Sequence, residues 1–175
     1  MRPSRAALCL LLVVLAGCGE DERSDNAVEA QEGNTVELGG IAYRAVLFRE
    51  LNPSLAPDET LIESPALRGG EGLYGLFLTA CNRTDRPLRA SGDLHVEDSF
   101  GTRFEPSPER TADRFEYRGQ VVAPGACLPR EGSAAERLVD GAILVFTVPF
   151  DKLANRPFVL EIGAGSRRRR VQLDL

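Results

Sequence analysis

The sequence predicts an all-β fold, an antiparallel β-sandwich of about eight or nine short strands. Apolar and polar residues alternate through Thr35–Leu38, Leu94–Asp98, Phe158–Ile162 and Val171–Leu175, the period of a strand with one buried face. Two further segments, Leu73–Cys81 and Ala142–Val148, are apolar on both alternating faces and too short for a core helix, so both faces of those strands must be covered. Gly, Pro and Asn-Arg-Thr-Asp clusters break the chain between these runs, and no helical period extends beyond two turns.

Taken in order, Thr35–Leu38 and Ile41–Arg49 flank Gly39-Gly40, which supplies the positive φ a tight hairpin needs. Leu51–Gly72 is a long Pro- and Gly-punctuated loop, the surface segment best placed to make contacts. Leu73–Cys81 is the central strand. Asn82–Pro87 turns the chain, and the next strand ends at Asp98-Ser99-Phe100-Gly101, with another beginning at Thr102. Phe115–Tyr117 and Gln120–Ala123 are short extended pieces. Ser133 and Glu136 have capping-box spacing, so one helical turn follows Ser133. Ala142–Val148 is the second doubly apolar strand, and 158–175 closes the domain as a hairpin.

The chain begins differently. Arg2 and Arg5 precede an apolar run from Ala6 to Ala16, and Leu15-Ala16-Gly17-Cys18 ends it. At ~1.5 Å per residue such a run reaches about half of a bilayer core of roughly 30 Å, so it is a secretory leader and no membrane span. The four residues ending at Cys18 resemble the bacterial lipobox, which implies cleavage before Cys18 and a lipid on its thiol. The expected organisation is therefore a signal peptide over 1–17, a lipidated Cys18 with a flexible tether over 18–34, and the sandwich over 35–175. The tether expectation rests on composition: Gly19–Asn34 holds six acids, one base and almost no large apolar side chain.

Net charge is −5, and the leader removes two arginines and no acid, so the exported chain is more acidic still. No nucleic-acid partner is expected of it. Of four cysteines, Cys9 leaves with the leader and Cys18 takes the lipid, which leaves Cys81 and Cys127. On the oxidising side of a membrane that pair is expected as a disulfide, whose loop corresponds to roughly 4 kcal/mol in the chain-entropy account. Two buried free thiols are the alternative.

The segments YGLFLTACN (74–82), VEDSFGTRFEP (96–106), RFEYRGQVVAPGACLP (114–129), GAILVFTVPFDKLANRPFVLEI (141–162) and RVQLDL (170–175) together resemble the telokin-like, immunoglobulin-fold domain of bacterial exported proteins and lipoproteins. The resemblance covers about residues 35–175. It implies an immunoglobulin-like sandwich with an accessory or interaction role and brings no catalytic residues. An antibody-type domain is disfavoured, because the Cys81–Cys127 spacing is short and the chain has no Trp.

Chemistry-bearing residues are sparse. His95 is the only histidine and no G-x-S-x-G accompanies it, so a hydrolytic triad is not expected; alternation with Leu94 and Val96 places it outward, on the surface. With one His, and no Met after the leader, copper handling is excluded. Asp93, Glu97 and Asp98, and Asp58, Glu59 and Glu63, lack calcium-loop spacing, so no metal and no cofactor is expected. Arg167, Arg168, Arg169 and Arg170 are the candidate contact with an anionic surface, against the plain reading of a solvated turn and strand. Asn82-Arg83-Thr84 matches a glycosylation acceptor but reads as a turn.

The function expected is that of a bacterial surface lipoprotein, attached by lipid to the cell membrane and facing away from the cytoplasm. Its sandwich is a non-enzymatic binding or structural module whose partners are the membrane and an envelope protein or polymer. The alternatives are a carboxylate-based envelope hydrolase, which needs two facing acids across a cleft, and a small-ligand carrier, which needs a pocket within the sandwich.

Overall fold

The computed structural model describes residues 27–64 and 66–175; the leader and Cys18 lie outside the described residues. The strands are β1 (Ala30–Gln31), β2 (Thr35–Leu38), β3 (Ile41–Leu51), β4 (Glu71–Asn82), β5 (Leu88–Arg89), β6 (Asp93–Glu97), β7 (Arg103–Phe104), β8 (Val121–Val122), β9 (Cys127–Leu128), β10 (Ala142–Pro149), β11 (Phe158–Ala164) and β12 (Arg167–Leu173). One short helix, α1 (Ala134–Val139), precedes β10. The strands form the predicted all-β sandwich. One sheet has the order β1-β12-β11-β6-β7, and the other β10-β4-β3-β2, with β9 continuing the β10 edge of β4. β5 and β8 make a separate ribbon, and only the β1–β12 pair of the named strands runs parallel.

Between the sheets lies the main core, built from the inward residues of both: Tyr43, Phe48, Leu76, Leu78 and Phe146 meet Leu94, Val96, Phe158, Leu160 and Ile162, all at most 3% exposed. Phe48 sits at its centre, with ring centroids of Tyr74, Phe146 and Phe158 at 5.9, 6.1 and 6.1 Å.

A second core explains why the central parts of β4 and β10 are apolar on both faces. Phe77, Ile143 and Val145 point away from the main core and are covered by Leu61, Ile62, Phe115 and Ala135. The 51–72 segment is thus pinned to this core at its middle, while most of its other described residues are exposed, as expected of a surface loop. Leu61 and Ile62 are 1% and 8% exposed, because doubly apolar strands need a third layer. Asp58 holds that layer in place: it takes a two-armed contact from Arg49 at 2.6 and 2.9 Å and a bond from the Asn52 N–H at 2.9 Å. Arg49 in turn stacks over Phe77, 5.3 Å from the ring centroid.

Local signals are met. Gly39 and Gly40 have φ of 66° and 86° and join Leu38 to Ile41 by a two-residue turn. The Ser133 hydroxyl accepts from the Glu136 N–H at 3.2 Å, capping α1. β3 carries a bulge between Ala45 and Leu47 where it pairs with β4. At the N-terminus the sheet begins inside the stretch expected as tether. The Glu29 and Glu32 N–H groups donate to the carbonyls of Arg170 and Gln172, and Glu32 also accepts from the Phe48 N–H. The two sheet bonds lie in the backbone, so composition carried no sign of them.

Candidate functional site

On the outer face of the first sheet, β6, β11 and β12 place charged residues side by side: register pairs Glu161 with His95 on one side and with Arg170 on the other. The result is a network centred on His95. Its Nε2 lies 3.2 Å from Glu97 Oε1 and 3.8 Å from Glu161 Oε1. Arg170 bridges the same two acids at 3.1 and 2.7 Å, and Arg168 reaches Glu161 at 3.2 Å and Asp93 at 3.3 Å. Arg103 extends the row through Asp93 and Glu105.

Alternation gave the face of His95 correctly, but its expected exposure was wrong: the ring is only 2% exposed, roofed by the long side chains beside it. Its Nδ1 and the Nε of Arg170 have no hydrogen-bond partner. His95, Glu97 and Glu161 bring three potential ligand atoms within 4.8 Å of one another. Both carboxylates, however, already bond arginine, and a cation entering there would have to displace guanidinium groups. The charge balance fits a structural ion network.

Electrostatics within the fold are anchored by three carboxylates. The Arg49 contact holds Asp58 below its ordinary range, outweighing burial. Burial pushes Glu97 up, but bonds from His95 and Arg170 outweigh it and leave it lowered. Asp98 is likewise pushed up by burial and lowered overall by bonds from Asn155, Thr102 and Phe100. A carboxyl whose folded pKa is depressed contributes stability above its unfolded value, and loses it as pH falls through the folded value. Thermal stability is therefore expected to fall progressively below about pH 4. Arg170→Gln should move that acid transition toward higher pH, because Glu97 loses the bond that helps to keep it ionised, read from melting curves across pH. An unchanged acid limb would show that Arg170 does not hold Glu97 ionised.

Cys81 and Cys127 face each other across β4 and β9 as a disulfide, with S–S 2.08 Å and Cα–Cα 4.0 Å. Flanking ladder bonds run from the Asn82 N–H to Ala126, which makes the pair a non-hydrogen-bonded one, the closer of the two antiparallel spacings. The bridge lies within one sheet, on its outer side, with Cys127 exposed. Asn82, 1% exposed, donates to the carbonyls of Arg86 and Val122 at 2.7 and 3.0 Å and accepts from the Thr84 N–H. It is the turn residue expected, with its amide buried away from any sugar.

The four arginines divide. Arg168 and Arg170 belong to the network, and Arg169 pairs with Glu29 at 3.3 Å and donates to the Glu37 carbonyl. Arg167 is exposed at the turn. Glu161, the acid on which the network turns, was missed in the sequence because its pairing with His95 depends on register between strands far apart in the chain. A concavity of about 240 Å³ opens between the β6 and β10 edges, lined by Leu94, Pro106, Thr111, Tyr117 and Leu144, and is the place a small-ligand carrier would use. No helix among the described residues is long and apolar enough to cross a membrane.

No family model matches this chain, and no curated protein does. Solved structures are similar in fold. The yjhA protein from Bacillus subtilis superposes with a TM-score of 0.56 at 11% identity, covering 83% of this chain and 99% of that one. A conserved hypothetical protein from Bacillus anthracis gives 0.50 at 8% identity, covering 83% and 95%. An uncharacterized beta-sandwich protein from Clostridium difficile 630 gives 0.47 at 10% identity, covering 87% and 100%.

Proposed function

We propose that this chain is an exported lipoprotein: it is cut before Cys18, carries lipid on that thiol, and holds its sandwich outside the cytoplasm at a cell membrane. The sandwich is a non-enzymatic binding or structural module of the telokin-like kind. The observation that carries this reading is Leu15-Ala16-Gly17-Cys18 placed directly after a basic start and a short apolar run. The Cys81–Cys127 bond supports it, since such bonds persist where thiols are not kept reduced.

In its own cell the protein is expected in the membrane fraction, with an intact mass that accounts for a diacyl group on Cys18. Cys18→Ser should release it to the soluble fraction or leave the uncut precursor. A wild-type protein whose mature N-terminus lies elsewhere and bears no lipid would overturn the proposal.

A further inference from the structure

We infer that the end of the sandwich around the Gly39-Gly40 turn is a docking face for an anionic lipid surface, through Arg83, Arg86 and Arg167. This rests on the lipoprotein reading and goes beyond it, because it assigns an orientation to the anchored domain.

The three arginines meet at one place. The Arg83 N–H donates to the Gly40 carbonyl at 3.0 Å. The Arg167 guanidinium lies beside Gly39, 3.5 Å from where a Cβ would stand. Arg86 follows in the same turn, which Asn82 fixes by its bond to the Arg86 carbonyl. All three side chains are exposed. Among the described residues, no carboxylate comes within the 4.0 Å of an ion pair with any of them, whereas Arg168, Arg169 and Arg170 are all paired. Asp85 is the acid between Arg83 and Arg86, so the turn region stays net positive in a chain of net charge −5.

The path of the backbone points the same way. β1 runs parallel to β12, and β12 starts at Arg167. The chain before Ala30 therefore leads back toward this end, only about 10 Å from the Glu29–Arg170 bond to the Arg167 turn. Residues 18–26 span at most about 30 Å when extended. A lipid at Cys18 thus keeps the basic end within reach of headgroups. Glu20, Asp21, Glu22 and Asp25 on that span oppose the attraction, so the lipid holds the protein and the arginines orient it. At about fivefold per arginine near an anionic surface, three amount to roughly a hundredfold preference, and salt reduces it.

The test uses the acylated full-length protein, with its mass at Cys18 verified, in vesicles carrying a headgroup quencher. A fluorophore is placed by Ser166→Cys at the basic end or by Ser99→Cys at the opposite end. On phosphatidylglycerol vesicles the label at 166 is expected to be quenched more strongly than that at 99. The difference should vanish on phosphatidylcholine, at high salt, and in the R83Q/R86Q/R167Q variant, whose melting temperature confirms that it folds. Equal quenching at both positions, or a difference that survives the triple substitution, overturns the docking face and leaves the lipoprotein reading intact. Arginine-dependent binding to a soluble polyphosphate without preferential quenching on vesicles also overturns it, in favour of a polymer ligand. An unacylated mature protein removes the anchor and the docking geometry with it.

Discussion

Phe48→Ala is expected to cost about 3–5 kcal/mol, a drop in melting temperature of roughly 10–15 °C. Phe48 is 1% exposed and touches aromatic rings from both sheets: Tyr74 and Phe146 beside it, and Phe158 opposite. Truncation leaves a void that β-sheet backbones on two sides cannot close, so the lost contacts add to the lost transfer energy. Phe48→Leu keeps much of the volume and should lose less. Urea denaturation of the two variants checks the order; equal stabilities would mean that the ring is not what joins the sheets.

Removing the Cys81–Cys127 bridge is expected to cost up to about 4 kcal/mol, from the freedom regained by the unfolded chain. β9 depends on it heavily, because its ladder with β4 has only two pairs, one of them the cysteine pair itself. Since Cys127 is exposed, a thiol reductant should act on the folded protein without denaturant. The expected result is a lower urea midpoint with reductant, matched by the Cys81→Ala/Cys127→Ala variant. A midpoint that does not move would show that strand pairing alone determines the position of β9.

The long strands were legible because each has a period. Alternation in Thr35–Leu38 and Phe158–Ile162 found half-buried strands, and runs apolar on both faces found β4 and β10 as doubly covered ones. Of the five strands of two residues, β7 follows β6 in a local hairpin and was expected from Thr102 onward, whereas β1, β5, β8 and β9 carry no period and pair with partners distant in sequence. The cover over the second core was hidden for a related reason. Leu61 and Ile62 are two apolar residues inside a Pro-rich segment, and what buries them is contributed by Phe77, Phe115 and Ile143. At the charged face, alternation put His95 outward, but its link to Arg170 through Glu97 and Glu161 comes from inter-strand register that a single chain does not display. Asn82, by contrast, was readable as a turn, because a short polar side chain that bonds its own backbone is a local property.

The parallel pairing of β1 with β12 has a mechanical consequence. Any pull passed along the N-terminal chain reaches the domain at Ala30 and acts along the strand axis. The bonds of Glu29 to Arg170 and of Glu32 to Gln172 then bear the load together in shear rather than opening one after another as in a zipper. Beyond them the load turns the corner into β2, which is paired along its length with β3. Against a pull from this side, the short first strand acts as a clasp.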